Sequence, residues 1–343
     1  MLYAYEVVSS NLNALKINST FKPAWWLRNA HLQTLWAGRV RRVSLPDTLP
    51  ERLDLPDGDF VDLNWSTRID EPSTENRSIV CVFHGLAGSL KSSYASAVFP
   101  QLEHLGFDVV FMHSRGSSGE PNRKANSYHS GYTADMDFLI QTVTKRYPER
   151  RIHAVGYSLS ANALLKYLGE AGENIALTSA VAVAPPLVLK VGAEKLNKGF
   201  SRIYQHYLLN GLKKQLAMKR ERYPELDLPH NVEDMKTFWV FDNDVTAPLH
   251  GFKDVHDYYT RASSRPYLPK IRCRTHIIHS GDDPFYSTEV VPETQELPDD
   301  VTFEITTHGG HVGFVSGSGS WKTPWGLNYW LDKRVPEILL AND

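Results

Sequence analysis

From Ser78 onward the chain alternates between two rhythms, and this alternation limits its possible folds more than any other feature. "SIVCVFHG" is a short continuous apolar run, the pattern of a strand covered on both faces. "SSYASAVFPQLEHLG" follows with helical spacing and ends on Gly106. "DVVFMHS" is a second buried-type strand, and "TADMDFLIQTVTKRYP" is helical and stops before Pro148. "RIHAVGYS" and "LSANALLKYLGEAG" repeat the pair, and "LTSAVAVAPP" adds another strand. Strands separated by helix-length crossovers pair in parallel, with the helices packed on both faces. The expected class is therefore α/β, with a mostly parallel central sheet.

The flanking regions fit one body built on that sheet. "RLDLPDGDFVDLNWS" has two alternating runs around Asp57-Gly58 and predicts an N-terminal β-hairpin. The rhythm breaks over 187–270, which contains a polar helical part through Tyr223 and reads as an inserted helical cap. "RTHIIHSGDD" and "VTFEITTHGGH" then read as strands, and "GLNYWLDKRVPEILL" as a final helix. The expectation is a single domain over 1–343, with an irregular, aromatic-rich N-terminal arm over 1–50 and the cap within it. The 343 residues, 42% of them apolar, suffice for a large core.

Charge and targeting signals exclude several classes. A formal net charge of -2 gives no overall pull toward nucleic acid. The most basic stretch, "LKKQLAMKRER" from Leu212, reads as a solvated helix face. "MLYAYEVVSSNLNALK" lacks the basic start and apolar core of a secretory leader. "SAVAVAPPLVL" is too short to span a bilayer and is broken by Pro185 and Pro186, so no stable membrane insertion is expected. Cys81 and Cys273 each lie in an apolar run, as expected of buried reduced thiols in a cytoplasmic protein. Nothing in the sequence specifies an oligomeric state.

In open parallel sheets, ligand sites lie beyond the carboxyl ends of the strands. Those positions here are His84-Gly85-Leu86, Ser114-Arg115-Gly116, Ser158, Asp282-Asp283 and His311. Ser158 stands where a strand turns into a helix without a spacer, as a nucleophile elbow does. The elbow pattern G-x-S-x-G is met at Gly156 but carries Ser160 at its last position. A helix-capping serine is the alternative. A hydroxyl nucleophile needs a base. His311, in "THGGHVGF", is favoured over His308 because an apolar Val-Gly-Phe follows it and can seat the ring. His153, His276 and His279 read as packed strand residues, and His31 and His129 as loop donors.

A carboxylate should orient the imidazole. Either aspartate of "HSGDDPFY" could serve, and the turn fixed by Pro284 favours Asp283. The order Ser158, Asp283, His311 is that of α/β-hydrolases. In that architecture the backbone N–H groups of Leu86 and Leu159 form an oxyanion hole. "GLAGSLKS" departs from the phosphate-binding loop pattern at Leu90, and no zinc-ligand spacing occurs. No cofactor or metal is expected. Arg115 reads as holding a loop through carbonyls, and Trp25-Trp26-Leu27 as packing the arm onto the cap.

Seven segments resemble the α/β-hydrolase superfamily, specifically its YheT-like branch (the AB hydrolase 4 family). They are "LRNAHLQTLW", "HGLAGS", "SRGSSGEPNR", "GYSLSANALLKYLGE", "FDNDVTAPLHGFKDVHDYYTRAS", "SGDDPF" and "HGGHVGF", spread over most of the chain. The first and fifth are similar to that branch alone, and the others are shared more widely. The resemblance implies a Ser-Asp-His hydrolase of carboxylic esters with short or medium acyl chains, the triad falling on Ser158, Asp283 and His311. Ser160 departs from the family's usual glycine. The small-molecule ester is then the only partner expected. A lipase acting on longer acyl chains, or a binding protein that retains the fold without catalysis, are the competing readings.

Overall fold

A computed structural model of the chain describes residues 15–70, 77–317 and 326–343. Most of the N-terminal stretch read above as lacking a leader lies outside the described residues. The strands are β1 (Leu15–Asn18), β2 (Thr48–Asp54), β3 (Phe60–Ser66), β4 (Ile79–Phe83), β5 (Asp108–His113), β6 (Ile152–Tyr157), β7 (Ser179–Val183), β8 (Arg274–Ser280), β9 (Val301–Thr306), β10 (Val315–Gly317) and β11 (Leu327–Tyr329). The helices are α1 (Ala30–Leu35), α2 (Ser93–His104), α3 (Ala134–Arg146), α4 (Leu159–Ala171), α5 (Leu189–Leu196), α6 (Ser201–Arg222), α7 (Phe238–Phe241), α8 (Ala247–Leu249), α9 (Val255–Ala262) and α10 (Leu331–Ala341).

Nine strands form one sheet in the order β1-β9-β8-β7-β6-β4-β5-β3-β2. Pairing is parallel from β1 to β5, and antiparallel where the β2–β3 hairpin joins β5. The period-two alternation of side chains divides the core. Ile79, Cys81 and Phe83 of β4 enter one cluster with Leu139 and Val143 of α3 and Leu164 and Leu168 of α4. Val80 and Val82 enter the other, with Phe99 and Leu102 of α2 and Val335 and Leu339 of α10. This two-sided burial explains the continuous apolar runs. Cys81 and Cys273 are free thiols, both buried.

Two segments depart from the sequence reading. The arm is not irregular throughout: β1 adds to the sheet edge in register with β9, too short to register as an alternating pattern. The run "GLNYWLDKRVPEILL" is not one helix. Leu327–Tyr329 pairs antiparallel with β10, and α10 begins at Leu331. Leu327 and Tyr329 pack beside Trp26, Trp36 and Val315, a small tertiary cluster that overrides helical propensity. Trp26 packs the arm against β10 and β11, with Trp25 exposed, and the arm also meets α6, where His31 stacks on Tyr204. Those helices, α5 to α9, stand over the carboxyl ends of the strands. No helix among the described residues is long and apolar enough to cross a membrane.

Candidate active site

The corner between β6 and α4 is strained. Ser158 has φ +52° and ψ -116°, a region that L-residues rarely occupy. Its N–H donates to the Val183 carbonyl at 2.8 Å, which holds the turn against β7. Gly156 is required here, because a Cβ would stand 2.8 Å from the Ser160 carbonyl oxygen and 2.9 Å from Ala161 Cα. Ser160, where the elbow pattern has glycine, is buried and its hydroxyl donates to the carbonyl of His84. The added hydroxymethyl group therefore ties the elbow to the loop after β4.

That loop is fixed from several sides. His84 is fully buried, and burial lowers its pKa to about 4. Its Nδ1–H donates to the Gly85 carbonyl at 2.7 Å, and its Nε2 accepts from the Ser114 N–H at 3.0 Å. The Gly85 N–H donates to the Tyr94 hydroxyl at 2.8 Å and the Ala87 N–H to the Tyr128 hydroxyl at 3.0 Å. Leu86 lies between these two anchors. Leu86 and Leu159 both line the cavity that contains Ser158.

His311 Nε2 lies 2.8 Å from Ser158 Oγ, and His311 Nδ1 lies 2.8 Å from Asp283 Oδ2. A carboxylate oxygen only accepts, so the Nδ1–H donates to Asp283 and Nε2 is left to accept from the serine. Asp283 is buried, and its other oxygen accepts the Phe285 N–H at 2.8 Å. Phe285 stacks on the imidazole at 3.9 Å and 10°, and Tyr286 meets it edge-on at 5.6 Å. The ring is thus seated by residues after Asp283, not by the Val-Gly-Phe that follows His311. Tyr286 lines the same cavity as Ser158. The rival pair lies together elsewhere: His308 Nδ1 is 3.2 Å from Asp282 Oδ2, with the His308 side chain well exposed.

The sequence reading missed how the arm holds this histidine. The His311 N–H donates to Thr34 Oγ at 2.9 Å. Gln33, fully buried, donates to the Leu27 and Val315 carbonyls and accepts from the Val315 N–H at 2.6 Å. Gly310 (φ +60°) passes so close to α1 that a Cβ would stand 2.5 Å from the Ala30 carbonyl. The segment "LRNAHLQTLW" is therefore a clamp on the His311 loop. His31 lies in α1, not in a loop, and its Nδ1 is 3.1 Å from the Tyr204 hydroxyl of α6. Gln33 is the one buried residue of this six-residue helix, too short for a periodic pattern to signal its role.

Two adjoining cavities lie beside the elbow, and Ser158 lines the nearer one. The nearer, of about 80 Å³, is lined by Ser158, Leu86, Leu159, Phe285, Tyr286 and Asp242, among others. The second, of about 120 Å³, shares Leu86, Leu159, Phe238, Asp242 and Tyr258 with it. It continues between Leu212, Leu216, Phe241, Val245 and Leu249, toward His129, His250 and Lys219. Arg115 is held by carboxylates and not carbonyls. It pairs bidentately with Asp135 and also meets Asp57 and Asp59. The basic stretch of α6 is not wholly solvated either. Lys219 is buried, its ammonium donates to the carbonyls of Lys124, Ala125 and Asn126, and burial lowers its pKa to about 8.

The family model described as "alpha/beta hydrolase fold" matches residues 78–318. The chain belongs to the α/β-hydrolase fold family. The Escherichia coli (strain K12) protein named "Putative esterase YheT" is 39% identical over 337 residues, covering 97% of each chain. The Homo sapiens protein named "Phospholipase ABHD3" is 28% identical over 309 residues, 88% of this chain and 75% of that protein. The "Monoacylglycerol lipase" of Saccharomyces cerevisiae is 28% identical over 71% of this chain and 57% of its own length. The Pyrococcus furiosus esterase Pf2001 structure overlays with a TM-score of 0.52 at 16% identity, over 88% of this chain and 98% of that one. Within the family this chain is a hydrolase, with esterases and lipases among its relatives.

Proposed function

We propose that the protein is a carboxylesterase in which Ser158 is the nucleophile, His311 the base and Asp283 the residue that orients the base. The observation that carries this reading is the unbroken hydrogen-bond chain from Ser158 Oγ through both ring nitrogens to Asp283, at 2.8 Å for each link. Ser158 Oγ attacks the ester carbonyl carbon while its proton passes to His311 Nε2. The negative charge on the carbonyl oxygen is held by the N–H groups of Leu86 and Leu159. Each such donor contributes about 3 kcal/mol to the transition state. The imidazolium then protonates the departing alcohol. A water, deprotonated by the same nitrogen, attacks the acyl-enzyme and releases the carboxylic acid.

The helices between β7 and β8 act as a cap in this reading. The apolar part of the 120 Å³ cavity takes a short to medium acyl chain. Its far end is polar, at Lys219 and His250, which disfavours a long aliphatic tail. The test is labelling with a fluorophosphonate, which should modify Ser158 alone, together with hydrolysis of p-nitrophenyl esters. Ser158→Ala should abolish both. Undiminished turnover in that variant, or labelling at Ser160, would sink the assignment. An activity maximum at short or medium acyl length is expected across an ester series. Activity that rises steeply with chain length and with added lipid interface would instead favour a lipase.

A further inference from the structure

The branch-specific segment "FDNDVTAPLHGFKDVHDYY" takes no part in the catalytic reading. It folds into α7, the turn over 242–246, α8 and α9, and it supplies Phe241, Asp242, Val245, Leu249, His250 and Tyr258 to the cavity walls. Asp242 is the only carboxylate among the described residues lining either cavity, and it lines both. One oxygen accepts from Thr246 Oγ at 2.7 Å and the other from the Tyr259 hydroxyl at 2.8 Å.

Two hydroxyl donors do not require a carboxylate. A neutral amide has the same shape, and a hydroxyl can turn to suit it. A buried charge with no cation beside it is costly, and burial pushes the Asp242 pKa up to about 6. Each carboxylate oxygen also retains acceptor capacity beyond the one bond it makes. This spare capacity lies in the wall of the same 80 Å³ cavity that contains Ser158. A substrate whose ester lies at Ser158 would present its donor within this same cavity. Asp242 also borders the larger cavity, but an acyl chain there carries no donor, so the group that would use this acceptor is on the alcohol half. A cation is disfavoured because the adjoining cavity already holds the Lys219 ammonium.

We propose that Asp242 accepts a hydrogen bond from a hydroxyl on the alcohol half of the substrate, so that the enzyme selects esters of polyols, such as monoacylglycerols, over esters of simple alkanols. This rests on the esterase reading given above. The test compares kcat/KM for 1-monooctanoylglycerol and propyl octanoate, which share acyl chain and carbon skeleton. The wild type should prefer the glycerol ester, and Asp242→Asn should lower that preference about tenfold, as expected for loss of a hydrogen bond to a charged acceptor. Tyr259→Phe removes a structural donor to Asp242 but leaves the carboxylate, and should keep the preference.

A wild type without preference, an unchanged ratio in Asp242→Asn, or an equal loss in Tyr259→Phe would each overturn the proposal. A stronger preference for octanoylcholine than for the glycerol ester, lost in Asp242→Asn, would overturn it in favour of a cation. Binding separates this inference from the esterase reading. By calorimetry, 1-O-hexylglycerol should bind the wild type about tenfold more tightly than Asp242→Asn, a larger change than for hexyl propyl ether. Absent turnover with that binding difference intact would refute the esterase reading alone. Equal binding to both proteins would refute the role of Asp242.

Discussion

Asp283→Asn tests the proposed triad most sharply, because the neighbouring Asp282 serves as its control. In the native site Asp283 uses both oxygens, one for the Phe285 N–H and one for His311 Nδ1. An asparagine has one oxygen only. The buried Phe285 N–H requires an acceptor, so the amide NH₂ is turned toward His311. Nδ1 must then accept, which moves the ring proton to Nε2, where it faces Ser158. The base then has no lone pair with which to take the serine proton. A wrong-tautomer change of this kind lowers kcat about 10⁴-fold in the serine-hydrolase template, about 5.5 kcal/mol of barrier. Asp282 accepts from Ser280 Oγ at 2.6 Å and the Gly310 N–H at 2.9 Å, and meets the exposed His308 at 3.2 Å. Asparagine at 282 keeps an acceptor for Gly310 and loses mainly a surface ion pair, less than about 1 kcal/mol. Initial rates on p-nitrophenyl butyrate, with circular dichroism to verify folding, should show a loss under about tenfold for Asp282→Asn. A loss under tenfold for Asp283→Asn, or a larger one for Asp282→Asn, would refute the reasoning.

Two further outcomes follow from the site. Ser160→Ala leaves the His84 carbonyl without its donor in a buried position, and should lower stability by about 1–3 kcal/mol in a denaturant titration, with kcat reduced more than KM is raised. An unchanged midpoint and kcat would remove Ser160 as the tie between the elbow and the loop after β4. Asp242→Asn should raise Tm at neutral pH and above. The folded pKa, about 6, exceeds the ordinary 3.8, so the folded protein holds this proton more tightly than the unfolded chain does. Stability from this group is thus highest below pH 4 and falls through pH 6, by about 3 kcal/mol in all. Tyr258 and Tyr259, which pack against it, have pKa values raised further by burial and do not titrate in that window. A Tm gain in the variant that is equal at low and neutral pH would contradict this account.

The sheet was legible because burial on both faces leaves a one-dimensional trace. Ile79 to Phe83 must all be apolar when alternate residues face different helix layers. The three positions of the proposed triad were readable as candidates for a related reason. Each follows a strand whose register the sheet fixes: Ser158 comes directly after β6 (ending at Tyr157), and Asp283 and His311 lie in the loops after β8 (ending at Ser280) and β9 (ending at Thr306). β1 was not legible, since four residues carry no measurable period. Nor was the fate of Leu327–Tyr329, which is decided by Trp26 and Trp36 some three hundred residues earlier in the chain.

The two branch-specific segments show why local reading ends where it does. Gln33 and Thr34 act on the proposed base indirectly, by holding the backbone on either side of His311. Asp242 stands on the cavity wall and makes no contact with the hydrogen-bond chain through His311. Neither residue type declares such a role in sequence, because a buried glutamine and a buried aspartate acquire their meaning from what lies across from them. Both nevertheless incur a desolvation cost that a merely structural position could avoid with an apolar or neutral side chain. The clamp compensates for that cost fully, since Gln33 donates to two carbonyls and accepts from one N–H. Asp242 does not, because its two bonded hydroxyls offset a charge that a neutral amide would never have introduced. That asymmetry separates a residue that completes the fold from one held ready for a ligand.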